Sequence, residues 1–434
     1  MKNIFLLFLT IFLVETTVSA QNLKNGPMLT YLAMRETAVW VQTHQSSDVQ
    51  LRYWATVKPT KKYLSEIVKT NKDNAFTATL VADSLDLGIE YQYEILLNGK
   101  YVKPFNDQKF TTKTLWRWRT DAPDFTFLAG SCSYINEPEY DRPGRPYGGD
   151  YETFSSMATE DAKFMVWLGD NTYLRESDWD SKSGIQHRFT HTRSIPEMQG
   201  LLRKMHHYAT WDDHDYGPND AEWTYPMKHV TKQTFVDFFP CNTYGAGNSE
   251  GVTSFFDWSD CDFFMMDDRW YRTSQGEDGK MLADQQMDWL ITSLRSSLAR
   301  YKFVAIGSQV LNSSKSKENH INYTNERKAL LEAIEKYTIK GVIFLTGDRH
   351  HSEISKVKLE NGVEVFDITS SPLAAGPATN VKEVNHNRIE GSLIDGKRNY
   401  AVISVLGKGK DRIVQVVYKD KDGKELYRYV INNG

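Results

Sequence analysis

The segment ATWDDHDYGPND, residues 209–220, concentrates four aspartates and one histidine. Negative side chains at this density repel one another unless a positive charge lies between them. A solvated acidic loop is one interpretation of the segment, and a cation-binding loop is the other. The choice between them depends on which other ligand-type residues the fold brings to the same place.

Three more segments supply such residues, namely AGSCS, WLGDNTY and LTGDRHH. Each has an ordinary structural explanation when it is taken alone, for example a small buried cysteine or an aspartate in a turn. Each, however, follows an apolar segment that predicts a strand, as WDDHD does. The carboxyl ends of strands in an open α/β sheet meet at one edge, so we predict a single site with several metal ions. The candidate ligands are Cys132, Asp170, Tyr173, Asp212, Asp348 and His350.

The elements that would position these residues alternate between helix and strand. YETFSSMATE precedes FMVWLGD, the amphipathic ADQQMDWLITSLRSSLAR precedes KFVAIGSQ, and ERKALLEAIEKY precedes GVIFLTGD. Helix followed by apolar strand, repeated, predicts an α/β domain with a buried sheet over residues 125–434. Its last segments, NYAVISVL, RIVQVVY and ELYRYVIN, predict antiparallel strands.

Residues 24–115 have a different pattern, with short alternating strands separated by turns. TAVWVQTH, VQLRYWATV, FTATLVAD and EYQYEILL are rich in β-branched and aromatic residues, and the NGK that follows the last one predicts a hairpin. This region is predicted to be a β-sandwich of the fibronectin type III or immunoglobulin-like kind.

Residues 1–20 have the pattern of a secretory signal peptide. Lys2 provides the positive start, IFLLFLTIFLV the apolar centre, and VSA the small residues before cleavage after Ala20. An N-terminal membrane anchor is the alternative, although the apolar run is short for a bilayer. We therefore expect a secreted or periplasmic protein with no membrane span.

The composition is that of a globular protein and sets limits on its partners. The formal net charge is only −4, which does not favour nucleic acid as a structural partner. We expect a monomer.

The motifs GSC, GDNTY, WDDHDYGPN and LTGDRHH, preceded by a β-sandwich, resemble the PhoD-like alkaline phosphatases. This family belongs to the calcineurin-like metallophosphoesterases, so the resemblance implies a four-layer αββα core. The GD-x-x-Y spacing is also similar to that of purple acid phosphatases, in which the tyrosine binds ferric iron.

The resemblance also implies two kinds of metal position. Iron(III) would be held by Cys132, Asp170, Tyr173, Asp348 and His350. Asp170 would bridge to a calcium position held by Asp212 and Asn219. Thiolate and phenolate donors suit iron(III), and carboxylate and amide oxygens suit calcium, while Zn²⁺, Mn²⁺ and Mg²⁺ remain alternatives.

The chain has three cysteines. If Cys132 is a metal ligand, Cys241 and Cys261 are left to form a disulfide, as an exported protein allows. Two unpaired buried thiols are the alternative.

This ligand set predicts a phosphoesterase. Adjacent cations neutralise phosphate oxygens, lower the pKa of a bound water and hold the attacking and leaving oxygens in line. We expect hydrolysis of phosphate mono- or diesters by metal-bound water or hydroxide. A phosphodiesterase acting on lipid head groups or wall polymers is one alternative. A non-catalytic binding protein with a vestigial metal site is the other.

Three further residues are candidates for contacting the substrate. His214 lies among carboxylates that would keep it protonated, so it is a candidate proton donor, with ordering of the acidic loop as the alternative. Arg175 and Arg269 are candidates for binding phosphate, and buried salt bridges explain them equally well. His187 and His191 predict an exposed helix or lid rather than a zinc site, because no third ligand accompanies them.

Overall fold

The computed structural model describes residues 22–103 and 108–432. The predicted signal peptide, residues 1–20, lies outside the described residues. Within the described residues, no helix is long and apolar enough to cross a membrane.

The first part of the chain is built of strands. They are β1 (Asn25–Leu32), β2 (Thr37–Gln42), β3 (Asp48–Ala55), β4 (Tyr63–Leu64), β5 (Val68–Lys69), β6 (Thr77–Ala82), β7 (Glu90–Leu97), β8 (Lys100–Tyr101) and β9 (Lys109–Thr111). The turn between β7 and β8 is the predicted hairpin, and both Asn98 (φ 48°) and Gly99 (φ 73°) adopt the left-handed conformation that such a turn requires.

The remainder alternates helices and strands, as predicted. The strands are β10 (Phe125–Gly130), β11 (Phe164–Leu168), β12 (His206–Thr210), β13 (Ser254–Trp258), β14 (Cys261–Met265), β15 (Tyr301–Ala305), β16 (Val342–Thr346), β17 (Glu353–Lys358), β18 (Glu364–Thr369), β19 (Asn399–Leu406), β20 (Ile413–Asp420) and β21 (Glu425–Ile431). The helices are α1 (Glu152–Met157), α2 (Lys182–Arg193), α3 (Pro196–Lys204), α4 (Asp213–Tyr216), α5 (Lys228–Phe238), α6 (Ala283–Ser296) and α7 (Thr324–Lys336). Short 3-10 helices lie at Lys72–Asn74, Ala246–Asn248, His320–Asn322 and Gly409–Asp411.

The largest sheet has nine strands in the order β21-β20-β19-β10-β11-β12-β1-β2-β6. Its centre, β10 to β12, is parallel and almost entirely buried, which explains the continuous apolar runs of these strands. The sheet also includes three strands from the N-terminal region, because β1 pairs in parallel with β12 at Leu29 and His206. The division into residues 24–115 and 125–434 stays a prediction, and a hydrogen-bonded sheet runs across it.

A second sheet has six strands in the order β13-β14-β15-β16-β18-β17 and packs on the first. Aromatic rings fill the space between the two sheets: Phe127 of the first sheet stacks on its neighbour Phe164 at 5.1 Å and meets Phe263 and Phe303 of the second edge-on at 5.3 and 5.2 Å. Helices α1, α2, α3 and α5 share a core with the outer face of the first sheet. Helices α6 and α7 share one with the second.

The third sheet holds β4, β3, β7 and β8, with β5 and β9 beside them. It packs on β1, β2 and β6 around a separate core that contains Val39, Leu51, Leu80 and Tyr93. The N-terminal region is therefore β-rich, and one of its two sheets is the end of the nine-stranded sheet.

Candidate metal centre

Strand ends bring the first candidate ligands together. Strands β10, β11 and β16 end at Gly130, Leu168 and Thr346, and each is followed two residues later by a ligand candidate. Those three residues and His350 all have left-handed backbone conformations. Their φ angles are 62° at Cys132, 52° at Asp170, 65° at Asp348 and 56° at His350. Non-glycine residues adopt this conformation at a cost of about 1–3 kcal/mol each, and such strain is concentrated at functional sites.

A first donor group consists of Cys132, Asp170 and His350, each with a ligand atom within 4.8 Å of the others. The Cys132 Sγ lies 3.6 Å from the Asp170 Oδ2. Tyr173 joins this group, because its hydroxyl oxygen lies 3.2 Å from the His350 Nε2. Four of the five predicted iron ligands therefore face one point.

The protonation of His350 leaves one nitrogen free for a metal. Its Nδ1 donates a hydrogen bond to the Gly376 carbonyl at 2.8 Å, so the lone pair of the neutral ring is on Nε2. Burial lowers the pKa of His350, which favours this neutral form. The Tyr147 hydroxyl also contacts Nδ1, at 2.9 Å.

The neighbours that act on the Cys132 thiol and the Asp170 carboxylate are themselves acidic. Burial, and next the charge of Asp348, raises the pKa of the Cys132 thiol to about 11. Burial and the neighbouring carboxylate of Asp213 raise the pKa of Asp170 well above its usual value. A bound metal ion would supply the missing positive charge, and thiolate, phenolate, imidazole and carboxylate together fit a transition metal.

Acidic residues extend the centre toward solvent. Asp170 forms a second group with Asp213 and His214, and Asp213 forms a third with Asp220 and Glu318. The Asp213 Oδ2 accepts a hydrogen bond from the Asp220 backbone N–H at 2.8 Å. Asp170 and Asp213 each belong to two groups, which fits cations at adjacent positions.

The donor group beside Asp170 contains Asp213 and not Asp212, although Asp212 is also a charged neighbour of Asp170. Asp212 is the N-cap of helix α4, where its Oδ1 accepts from the Asp213 N–H at 2.9 Å and from the Arg269 Nε at 2.6 Å. Because the helix begins at the next residue, the two adjacent carboxylates point in different directions. The Asp212 Oδ2 is buried and has no hydrogen-bond partner among the described residues.

The other predicted ligands lie at the opening of the centre. Asp348 and the exposed Asn219 line a pocket of about 580 Å³ together with Asp170, Asp213 and His350. Asp220 and Glu318 also line this pocket, and the sequence analysis missed both. Asp220 lies directly after the predicted ligand Asn219, which was an available signal. Glu318 lies in a long loop after β15, where no sequence pattern indicates it.

Arg269 forms a buried ion-pair hub instead of facing the pocket. Its side chain is 0% exposed and contacts Asp212, Asp268 and Glu318. Arg272 holds the other oxygen of Glu318 at 2.6 Å. Of the two explanations given for Arg269, buried salt bridges therefore describe its contacts in the structure. These contacts position the carboxylates of Asp212, Asp268 and Glu318.

Arg175 and His214 lie beside the centre. The Arg175 guanidinium lies 4.1 Å from the ring centroid of Tyr134 and 5.4 Å from that of Tyr173, and its Nε has no hydrogen-bond partner among the described residues. The His214 ring stacks on Tyr173 at 4.3 Å. Burial lowers the pKa of His214 to about 4, so this ring is neutral near pH 7, contrary to the protonated state expected from its acidic neighbours.

Two cysteines and two histidines from the sequence analysis lie outside the donor groups described above. Cys241 and Cys261 are free, so the predicted disulfide is absent and the alternative of unpaired thiols describes them. His187 and His191 lie on helix α2 and contact the Glu137 side chain and the backbone carbonyl of Asn136.

The family model described as PhoD-like phosphatase matches residues 127–409, and a domain of unknown function (DUF7800) matches residues 20–115. The chain is 23% identical to Alkaline phosphatase D of Bacillus subtilis (strain 168), over 69% of this chain. That match spans 56% of the length of the curated relative.

Two solved structures have a similar fold. A structure of PhoD superposes with a TM-score of 0.73 and 17% identity, covering 95% of this chain and 90% of that chain. Purple acid phosphatase PPD1 from yellow lupin (Lupinus luteus) seeds has a TM-score of 0.66 and 12% identity, covering 94% and 74%. These likenesses show that the chain has the same α/β fold as these two proteins, with an N-terminal β-rich region.

Proposed function

Because this chain belongs to the PhoD-like phosphatase family, we propose that it is a metal-dependent phosphoesterase that hydrolyses phosphate mono- or diesters. The observation that carries the proposal is the row of shared donors, in which Asp170 and Asp213 each belong to two groups. Cations bound side by side there would neutralise phosphate oxygens and activate a water molecule.

The donor types support different metals at the two ends of this row. Cys132, Tyr173 and His350 with Asp170 and Asp348 suit iron(III), as the resemblance implied. At the other end, the donors are carboxylates and an amide that suit calcium. We propose Asp213, Asp220, Glu318 and Asn219 as the ligands there, with Asp213 in the role first expected of Asp212.

Two residues are proposed to act on the substrate. Arg175 has no carboxylate partner in the described parts of the chain, and its guanidinium is held by the rings of Tyr134 and Tyr173, so it is available to bind a phosphate oxygen. The neutral His214 holds one proton on its ring and has an unpartnered buried Nδ1. We propose that this ring donates a hydrogen bond to an oxygen of the substrate, in place of the proton transfer expected of a protonated histidine.

The finer features of the prediction belong to the same proposal. Core clusters on the outer face of each large sheet and between the two sheets support a four-layer αββα arrangement. Export through the signal peptide at residues 1–20 is part of the proposal too, and the positive, apolar and small-residue segments of that sequence support it.

The test combines metal content with hydrolysis. The purified protein should contain iron and calcium by elemental mass spectrometry and should hydrolyse 4-nitrophenyl phosphate, bis(4-nitrophenyl) phosphate or both. Asp170→Asn should lower the rate at least about 100-fold, because Asp170 is shared by two donor groups. Asp161→Asn is the matched control, since the Asp161 side chain is 100% exposed. Protein that takes up no metal and hydrolyses neither ester would overturn the proposal in favour of a binding function.

A further inference from the structure

A second cavity opens beside the metal centre. It measures about 690 Å³, and we call it the distal pocket. It shares Tyr147, Gly376 and Pro377 with the pocket of the metal centre. Its charged lining residues are Arg145, Asp150, Lys397, Arg398, Asp420, Lys421 and Asp422.

The carboxylates of the distal pocket already have partners. The Asp150 Oδ2 accepts a hydrogen bond from Arg398 at 2.9 Å, and Lys421 lies between Asp150 and Asp422 at 4.0 and 3.7 Å. The Asp420 Oδ1 accepts two backbone N–H groups of the following turn at 3.0 Å each. The carboxylates of the pocket therefore already have hydrogen-bond or ion-pair partners within the protein.

Two cations of the pocket have no such partner. Arg145 and Lys397 are exposed, and the side chain of neither makes an ion pair or hydrogen bond with any residue in the described ranges. Arg398, by contrast, is held in place by the carbonyls of Ala374 and Ala375 at 2.8 and 2.9 Å. The charge left over in the pocket is positive, so the pocket is suited to an anion.

The wall between the two pockets is a fixed ring. The Tyr147 hydroxyl contacts the His350 Nδ1 at 2.9 Å, and its ring meets Tyr134 edge-on at 5.0 Å. A Cβ atom on Gly376 would lie 2.9 Å from the Tyr147 Cε2, so glycine is required for the backbone to pass this close. A molecule that spans the two pockets would pass over this ring.

We propose that the distal pocket binds a second phosphate of the substrate, on the side of the ester away from the metal centre. Arg145 and Lys397 are the residues that recognise it, so they determine specificity without touching the reacting atoms. The preferred substrate class is therefore a phosphodiester that carries another phosphate group nearby. This inference rests on the proposed phosphoesterase function.

A matched pair of diesters tests the inference on the metal-loaded full chain. Thymidine 5′-(4-nitrophenyl phosphate) and its 3′-phosphorylated form release the same nitrophenolate and differ by one phosphate. We expect the protein to prefer the 3′-phosphorylated diester about fivefold to tenfold in kcat/KM, the value of two exposed charge contacts. The double variant Arg145→Gln/Lys397→Gln should reduce that preference to about one.

The control is Arg142→Gln, which removes an exposed arginine from the same loop outside either pocket and should keep the preference. Added salt should weaken the preference in the parent protein and not in the double variant. An unchanged preference in the double variant would overturn the inference. If the protein hydrolyses neither thymidine diester nor the two nitrophenyl esters named above, the proposed function fails; when the thymidine diesters are not hydrolysed, the distal pocket is tested by calorimetry with thymidine 3′,5′-bisphosphate. Equal affinity of parent and double variant for that compound would then refute it.

Discussion

Replacing Arg269 with methionine should destabilise the protein, although the sequence first suggested a contact with substrate. Methionine keeps much of the side-chain volume and removes the charge. The guanidinium is fully buried and contacts Asp212, Asp268 and Glu318. In the metal-free variant, these carboxylates would remain buried without their main cation.

The magnitude follows from the cost of an uncompensated buried charge, about 3–5 kcal/mol. A protein of about 400 residues unfolds with an entropy of roughly 0.8 kcal/mol per kelvin, so about 4 kcal/mol should lower the melting temperature by about 5 °C. Burial already raises the pKa of Asp212, and loss of Arg269 would raise it further. The folded variant then keeps a proton on Asp212 that the unfolded chain releases. Its loss of stability relative to the parent protein should therefore increase as the pH rises from 5 to 8.

The assay is thermal unfolding of the metal-free protein, followed by circular dichroism at pH 5 and pH 8. The control is Arg142→Met, whose side chain is 80% exposed and whose ion pair should contribute less than about 1 kcal/mol. An Arg269→Met variant that melts within about 1 °C of the parent at both pH values, with a raised KM, would refute the reasoning. Arg269 would then be a substrate-binding residue.

Three further outcomes are expected. Tyr173→Phe should abolish the visible charge-transfer band of the iron-loaded protein and leave its calcium content unchanged; a persisting band would assign the phenolate elsewhere. Asp220→Asn should weaken calcium binding by about tenfold in calorimetry, since it loses an anionic donor, whereas Glu222→Gln nearby should not; equal effects would contradict the assigned ligands. Burial works to raise the pKa of Glu353, but the neighbouring His351 and Arg388 lower it to about 2 from 4.5. Its ionised form therefore adds stability that is lost as the pH falls from about 4.5 to 2, and Glu353→Gln should flatten the decline in melting temperature over that range.

The sequence predicts the candidate metal centre because its candidate ligands follow buried strands. The apolar runs before Cys132, Asp170 and Asp348 are indeed strands β10, β11 and β16, and their parallel or packed arrangement brings the following loops together. Local patterns suffice for such a prediction, since burial on both faces of a sheet selects long apolar segments.

The choice between Asp212 and Asp213 could not be made in the same way. It depends on where helix α4 begins, and a shift of one residue there exchanges the capping carboxylate with the one that faces Asp170. Glu318 could not be predicted from the sequence, for another reason. Its position is set by Arg269 and Arg272, which are far away in sequence and become neighbours only in the folded chain.

The nine-stranded sheet has a consequence for how the protein is made. Strand β1 leaves the ribosome early, but its partner β12 follows about 180 residues later. Because synthesis proceeds at about 5–20 residues per second, β1 remains without this partner for roughly 10–35 s. During that time β1, which pairs with β2 on its other side, presents an unpaired strand edge that other chains can join. Nascent chains should therefore be most prone to aggregation, and most dependent on chaperones, before His206 has been synthesised.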